Sequence, residues 1–321
     1  MYLHAVCVLT VTISSTLNSS DGVQTAKEKE MCRLAAYLGQ TSVLLEDVLV
    51  KPANSLVSQS LSARETDVMT NGDGFGVGWY APEISSEPAL FTSTTPAWSD
   101  RNLSHLTSKI KASSFFAHVR AASEGGVTQY NCHPFTFQEW MFMHNGCISN
   151  FMRIKRHLRR LLDDDVYNWI KGDTDSEHFF ALSMQIAKGR DLSRIENLAD
   201  ILEDTLQEVL LLTKTFNAQG VSYFNVCLTD GRRLLASRYC SDPDMKSLTM
   251  HYCIGSTLIS PVMNSDKPQP IMAKNGDKKC ILVSSEKLSS VSEEWHMLPT
   301  NHLLLVDEHI NVSVRKLRQF C

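Results

Sequence analysis

The order of hydrophobic patterns along the chain limits the folds that it can adopt. Short apolar runs separated by turn signals fill residues 72–148, apolar residues at helical spacing dominate residues 151–210, and strand-like runs return at 223–306. This order predicts packed α and β layers with mainly antiparallel sheets, rather than a doubly wound series of βαβ units. The 321-residue chain is 43% hydrophobic, which is enough for a sizeable core, and no Pro/Gly/Ser-rich linker divides it.

Two predicted helix starts carry capping signals. Ser193 precedes an apolar helical repeat and stands at capping-box spacing from Glu196. Thr174 has the same spacing to Glu177, which places Asp175 in the first turn of an earlier helix. The helix dipole and the free N–H groups there favour an ionised carboxylate. Asp175 is therefore a candidate for holding a cationic substrate group, although acidic residues also gather at helix starts for stability alone.

Charge and cysteine content argue against several classes of protein. The net charge of −4 suggests neither nucleic acid nor an anionic membrane as a partner. Beyond residue 31, no apolar run approaches the roughly 18 residues needed to span a bilayer. The nine cysteines include no C-x-x-C pair, so a structural zinc site has little support.

Cys32 directly follows Met31 and would become a chain terminus if residues 1–31 were absent. A terminal cysteine has a thiol and a free α-amine with an ordinary pKa near 8, so the amine can accept the proton of the thiol directly or through one water. An internal Cys32 has an amide nitrogen instead, which has no usable basicity. We therefore expect an N-terminal extension at 1–31 that is removed or never made, and an active domain at 32–321.

The extension leaves three origins open. Residues 3–17 are apolar and hydroxyl-rich, as in a secretory signal, but no Lys or Arg precedes them. Cleavage near residues 19–22 would also leave about ten residues on Cys32, counted along the chain. A removable pro-segment, or translation from Met31 with methionine trimming, remains as an alternative. The weak signal favours a cytoplasmic protein, with secretion as the alternative if residues 1–22 act as a signal.

Two further short motifs contain candidate functional residues. Arg120 ends a strand-like run, and a guanidinium offers a carboxylate two parallel charge-assisted donors, although many such arginines only form structural ion pairs. Asn145 and Gly146 follow another strand-like run, where Asn-Gly is typical of a hairpin turn. The Asn145 amide and the Gly146 N–H could instead form an oxyanion hole.

A glycine-rich segment at 71–80 lacks the spacing of a phosphate-binding loop ahead of a helix. It predicts a tight turn that feeds a strand, with glycines that allow the backbone to approach the nucleophile closely.

Together, five motifs resemble the class II glutamine amidotransferases, which are N-terminal nucleophile hydrolases. They occur in the family's order: Met31-Cys32-Arg33, the 71–80 glycine run, His118-Val119-Arg120, His144-Asn145-Gly146 and Asp175-Ser176-Glu177. A late Ser285-Glu286-Lys287-Leu288 is similar to a further family element. The chain is most similar to a subgroup that includes the amidotransferase-like subunit of fungal glutathione degradation and the γ-glutamyl hydrolase of ergothioneine synthesis.

The resemblance implies an α+β fold, a four-layer αββα sandwich with two mainly antiparallel sheets. It also implies hydrolysis of a γ-glutamyl amide bond, in glutamine, glutathione or a related compound, through a cysteinyl thioester. Cys32 would be the nucleophile, Asn145 and Gly146 would hold the oxyanion, Arg120 with Ser123 would bind the α-carboxylate, and Asp175 would hold the α-ammonium group. The resemblance implies that no metal or organic cofactor is required.

One alternative is a non-catalytic amidotransferase-like subunit that binds or regulates a partner and keeps its blocked terminus. No recognisable synthetase or isomerase domain follows the amidotransferase motifs, so released ammonia has no obvious acceptor within the chain. This favours a stand-alone hydrolase or a subunit that passes its product to a separate protein.

Overall fold

Two antiparallel sheets lie at the centre of the molecule. The computed structural model describes residues 32–65, 70–122, 125–261 and 269–320. The strands are β1 Arg33–Leu44, β2 Phe75–Trp79, β3 Ala89–Ser93, β4 Lys111–Val119, β5 Phe135–Phe137, β6 Trp140–Cys147, β7 Tyr223–Thr229, β8 Leu234–Arg238, β9 His251–Gly255, β10 Thr257–Leu258, β11 Met272–Ala273, β12 Cys280–Ser284, β13 Trp295–Met297, β14 His302–Val306 and β15 Val312–Lys316. The helices are α1 Glu46–Leu49, α2 Leu56–Leu61, α3 Arg101–Thr107, α4 Phe151–Arg159, α5 Asp164–Trp169, α6 Asp175–Ala187 and α7 Ile195–Thr215.

The strands form a seven-stranded sheet in the order β13-β9-β12-β1-β4-β2-β3 and a six-stranded sheet in the order β15-β14-β8-β7-β6-β5. A short β10–β11 ribbon pairs with neither sheet, but its Leu258 and Met272 pack in the core of the seven-stranded one. The side chains between the sheets are apolar and fully buried, among them Leu34, Phe116, Met143, Ile281 and Leu304. Burial of such side chains stabilises the fold by roughly 1.5–3 kcal/mol each.

Each sheet has a helical layer on its outer face. Helices α4 to α7 cover the six-stranded sheet, where the Phe142 ring stacks on Phe180 with 4.9 Å between centroids. Helices α1 to α3 cover the other sheet and pack against Tyr37 and Phe115. The result is the expected αββα sandwich with mainly antiparallel sheets. None of the helices in the described ranges is both long and apolar enough to cross a membrane.

Strand β1 had no clear signal in the sequence. Its first seven residues, 33–39, are all buried because β1 lies between β12 and β4 and has the other sheet on one face. A strand that is covered on both faces shows no alternation of polar and apolar residues. This strand begins directly after Cys32, so it determines where the candidate nucleophile lies.

The two helix starts differ in how they are capped. The Thr174 hydroxyl accepts a hydrogen bond from the Glu177 N–H at 3.2 Å, as predicted. The capping prediction at Ser193 is wrong: α7 has Arg194 at its N-cap position, without a side-chain cap bond. The Ser193 N–H instead donates to the Asp191 carboxylate in the preceding loop.

Two histidines buried between the sheets make stability depend on pH. His118 and His133 lie with their ring centroids 4.2 Å apart, and both side chains are almost fully shielded from solvent. Burial lowers the pKa of His118 to about 3, because desolvation penalises the charged imidazole. Burial also lowers the pKa of His133 well below its usual value.

We therefore expect the protein to lose stability as the pH falls through about 6.5, where the same histidines begin to take up protons in the unfolded chain. At pH 5 the expected loss is about 2 kcal/mol for each buried imidazole, relative to pH 8. Urea unfolding at the two pH values measures it. His118→Phe should reduce the pH dependence, while substitution of the exposed His309 should leave it unchanged. A His118→Phe variant with the full wild-type pH dependence would contradict this account.

Candidate active site

The candidate residues meet at one end of the space between the sheets. Cys32 precedes β1, and Arg120 follows β4; because Arg33 pairs with Val119 in these antiparallel strands, Cys32 lies beside Arg120. Asn145 lies near the end of β6, and Asp175 is the first residue of α6. The fold therefore brings together residues from four elements that are distant in sequence.

The Cys32 thiol is partly exposed and contacts the backbone of Ala121. Its Sγ lies 3.4 Å from both the N–H and the carbonyl oxygen of that residue. Desolvation raises the pKa of the Cys32 thiol, and the Ala121 N–H and the charges of Arg120 and Arg33 act in the opposite direction. The thiol is therefore mostly protonated at neutral pH, and attack on a carbonyl requires a base.

A buried ion pair anchors the residue after the thiol. The Arg33 Nε donates to Glu286 at 2.9 Å, and its Nη1 donates to the Cys32 carbonyl oxygen at 2.7 Å. Glu286 also accepts hydrogen bonds from the backbone N–H groups of Arg64 and Glu65. The backbone at Cys32 is thus tied to the loop after β12.

The glycine-rich segment holds the loop that contains Arg120. The Arg120 N–H donates to the Gly74 carbonyl at 2.8 Å, and the Asp73 N–H donates to the Arg120 carbonyl at 3.0 Å. The Asp73 carboxylate accepts from the Ala122 N–H at 2.8 Å. Gly74 has φ = +110°, which explains the glycine in this turn. The segment therefore does not contact the thiol itself. It holds Arg120 and Ala122, the two neighbours of Ala121, whose backbone contacts the sulfur.

The Arg120 side chain is buried, with 3% of its surface exposed, and its Nη1 donates to the Gly126 carbonyl at 3.1 Å. The Asp175 carboxylate is buried as well and accepts from the N–H groups of Ile148 and Ser176, both at 2.7 Å. The register of β1 and β4 places Arg120 next to Cys32, and both charges act on the thiol, since Arg120 lowers and Asp175 raises its pKa. The site thus has one fixed cationic and one fixed anionic group beside the sulfur.

Asn145 and Gly146 do not form a hairpin turn. They continue β6 and pair with Asn225 and Phe224 of β7, so this alternative is wrong. The Asn145 side chain is buried, and its Nδ2 donates to the Ser285 hydroxyl at 3.3 Å, which leaves a second N–H for another acceptor. A Cβ at Gly146 would lie 2.0 Å from the Tyr223 carbonyl oxygen, so the close approach of β7 requires glycine here.

His144, next to Asn145, has a structural role. Its Nε2 lies 2.9 Å from the Tyr223 carbonyl oxygen, and its Nδ1 lies 2.9 Å from the Ser176 hydroxyl. The carbonyl can only accept, so Nε2 carries the proton; the Ser176 hydroxyl lies between Nδ1 and the Asp175 carboxylate, which is 3.2 Å from it. Burial lowers the pKa of His144, which keeps the imidazole neutral. Its ring stacks on Phe224, 5.5 Å away, on the outer face of the sheet.

Some expectations fall outside the described residues, namely Ser123 and the whole 1–31 extension. The sequence alone assigned no role to Ser285, whose hydroxyl accepts from the N–H of Leu34 at 3.1 Å as well as from Asn145. Its place at the start of the late Ser285-Glu286-Lys287-Leu288 element was the available signal. Within the described ranges, no group of three or more His, Cys, Asp or Glu side chains could hold a metal ion.

Two facing antiparallel sheets between helical layers, with a cysteine at the start of a central strand, define the architecture of the N-terminal nucleophile hydrolases. The sequence profile of the family described as "Glutamine amidotransferases class-II" matches residues 42–318. The chain therefore belongs to the class II glutamine amidotransferases, a family of enzymes. The resemblance found in the sequence motifs is confirmed.

Individual relatives agree with this assignment. The probable glutamine amidotransferase DUG3 of Saccharomyces cerevisiae is 34% identical over 294 residues, which cover 86% of this chain and 82% of the relative. The gamma-glutamyl-hercynylcysteine sulfoxide hydrolase of Mycolicibacterium smegmatis is 29% identical over 120 residues, or 37% of this chain and 52% of the relative.

Solved structures share the fold at lower identity. A glutamine aminotransferase class-II domain protein from Silicibacter pomeroyi superposes with a TM-score of 0.60 at 23% identity, covering 90% of this chain and 100% of the other. The glutamine phosphoribosylpyrophosphate amidotransferase of B. subtilis gives a TM-score of 0.55 at 14% identity, covering 90% of this chain and 50% of the other. At these identities the likeness concerns the fold.

Proposed function

We propose that the protein hydrolyses a γ-glutamyl amide bond, in glutamine, glutathione or a related compound, and releases glutamate. The observation that carries this proposal is the placement of a thiol beside one buried guanidinium and one buried carboxylate. This combination matches the α-carboxylate and α-ammonium groups of a glutamyl substrate. The names of two relatives, which refer to glutamine and to a γ-glutamyl compound, support the same substrate class.

Substrate binding uses charges that the fold already holds in place. Arg120 would bind the α-carboxylate with two parallel hydrogen bonds, and Ser123 would add a hydroxyl beside it. Asp175 would bind the α-ammonium group while its two backbone N–H partners hold the carboxylate still. The γ-carbonyl group would then be directed toward the Cys32 sulfur.

The proposed reaction has two stages. The Cys32 sulfur attacks the γ-carbonyl carbon as its proton passes to the α-amine of the same residue, and the carbonyl oxygen becomes an oxyanion held by the Asn145 Nδ2 and the Gly146 N–H. The C–N bond then breaks, and the leaving amine takes the proton from the α-amine. Water adds to the resulting γ-glutamyl thioester, which releases glutamate and restores the thiol.

The active polypeptide is proposed to begin at Cys32 and to extend through the domain at 32–321. Only a terminal Cys32 has an amine that can act as the base. The thiol needs such a base, because desolvation raises its pKa.

Glutamate release from protein that begins at Cys32 tests the function directly. We expect release from at least one of L-glutamine, glutathione and other γ-glutamyl amides, and trapping of the thioester by hydroxylamine as γ-glutamyl hydroxamate. A Cys32→Ala variant should form neither product. Absence of glutamate from every substrate, with wild type equal to Cys32→Ala, would exclude the proposal and favour a non-catalytic subunit.

Replacement of Asn145 by alanine should lower kcat by roughly 10²–10³-fold, with little change in KM, because an oxyanion-hole donor acts mainly in the transition state. Steady-state kinetics with L-glutamine measures both constants. Asn225→Ala is a matched control, since Asn225 pairs with Asn145 across the sheet but donates to the Thr249 carbonyl. Equal losses in the two variants would assign the effect to sheet packing instead.

A further inference from the structure

Asn131 is a buried asparagine that no motif of the sequence singled out. It ends a short 3-10 turn before β5, and only 1% of its surface is exposed. Its Nδ2 donates to the Gly126 carbonyl at 2.8 Å, and its Oδ1 accepts from the Asp173 N–H at 2.9 Å. The partners determine the orientation of the amide, because a carbonyl can only accept and a backbone N–H can only donate.

The two hydrogen-bond partners of Asn131 lie next to the two charged groups of the site, Gly126 beside Arg120 and Asp173 close to Asp175. The Gly126 carbonyl also accepts from Arg120 Nη1 at 3.1 Å. Asp173 stands two residues before Asp175 in the loop that begins α6. One side chain thus joins the segment that holds the guanidinium to the segment that holds the carboxylate.

The surroundings of Asn131 are shaped for this amide. A Cβ at Gly172 would lie 2.3 Å from the Asn131 Oδ1, and Gly125, with φ = +76°, would bring a Cβ within 3.0 Å of the Nδ2. Glycine therefore allows close approach on both sides. Alanine at position 131 would offer neither a donor nor an acceptor, and aspartate would offer only acceptors, which repel the Gly126 carbonyl.

We propose that Asn131 is a positioning residue that sets the spacing between Arg120 and Asp175, and thereby selects ligands that have both an α-carboxylate and an α-ammonium group. The inference rests on the proposed function, because it assigns those two groups to substrate binding. Loss of Asn131 should leave α6 folded, because the Glu177 carboxylate independently accepts the N–H groups of Lys171 and Gly172.

The test uses Asn131→Asp in protein that begins at Cys32. Aspartate keeps an acceptor for the Asp173 N–H and loses the donor to Gly126, so it disturbs the Arg120 side alone. We expect KM for L-glutamine to rise about tenfold, as for loss of a hydrogen bond that supports a charged group. We expect kcat to stay within about threefold, because the reacting groups are untouched.

Three competitive inhibitors distinguish binding at Arg120 from binding at Asp175. L-glutamate has both α groups, glutarate lacks the ammonium group, and 4-aminobutanoate lacks the α-carboxylate. In Asn131→Asp, the Ki values of L-glutamate and glutarate should rise about tenfold, whereas that of 4-aminobutanoate should stay within about twofold. Asn131→Ala removes both bonds and should raise all three. The control Asn197→Ala loses a similar side-chain bond to a loop carbonyl, that of Asp191, and should change none.

The outcomes distinguish this inference from the function itself. Unchanged KM and Ki values in Asn131→Asp, or equal rises for all three inhibitors in that variant, would overturn the positioning role. Parallel losses in kcat and thermal stability would overturn it as well, because they indicate a general structural effect. Failure of the wild-type protein to release glutamate would instead refute the proposed function.

Discussion

Protein that begins at Cys32 is expected to hydrolyse L-glutamine roughly 10²–10⁴-fold faster than the same protein preceded by a single retained Met31, because the extra residue converts the general base into an amide. Desolvation raises the pKa of the thiol, so the site has little thiolate to use without that base. The two proteins can be prepared by cleavage of a fusion at either position. Initial rates of glutamate release then measure the difference.

Controls separate chemistry from folding in this comparison. Both proteins should unfold at the same temperature, because strand β1 begins at Arg33 and the residue before Cys32 adds no strand pairing. A Cys32→Ser variant with a free amine should bind L-glutamate normally and turn over very slowly. Equal rates with and without Met31 would refute the proposed base. Intact-mass measurement of protein from its native source would show which terminus the working form has.

Substitution of Glu286 by glutamine is expected to lower the free energy of unfolding by about 3–5 kcal/mol, because it leaves the charge of Arg33 buried without its carboxylate. The exposed fractions are 3% for Arg33 and 0% for Glu286, so water cannot replace the lost partner. Urea unfolding at neutral pH measures the change. Activity should also fall, since Arg33 donates to the Cys32 carbonyl and orients the nucleophile.

Glu196→Gln is the matched control for this prediction. Glu196 pairs with Arg194 at 3.2 Å on the surface, and an exposed pair contributes about 0–1 kcal/mol. Replacing both members of the buried pair, with Arg33→Met and Glu286→Gln together, should restore part of the stability lost in Glu286→Gln alone. A loss below about 1 kcal/mol in Glu286→Gln would contradict the prediction that the arginine charge is left uncompensated.

Sequence patterns were reliable where residue types that favour strands, helical spacing or a local bond mark the element. Strand β7 and helix α6 were recognisable from their own residues, and the Thr174 cap needs only a contact three residues away. The same patterns did not reveal β1: its buried first half is rich in Ala, Leu and Gly, whereas the equally buried β7 carries more aromatic and β-branched residues. It also left Asn145 and Gly146 open to a turn, because nothing in the dipeptide shows that β7 extends the pairing of β6 past it.

In the candidate site, too, some residues could be recognised from the sequence and others only from the folded structure. Residue types and their order named Cys32, Arg120 and Asp175, since the chemistry of a thiol, a guanidinium and a carboxylate is a property of each side chain. Asn131 has no local signal, because its role consists of bonds to residues 126 and 173 that only the folded loops bring together.

The sequence by itself indicated the layered α and β composition and a candidate nucleophile, because hydrophobic periodicity and side-chain functional groups are local properties. It indicated the enzyme family through the order of its motifs. The tertiary structure decided which residues meet. Arg33 and Glu286 are 253 residues apart in sequence and 2.9 Å apart in space. Such contacts depend on the order and register of strands, which are set by packing between the two sheets.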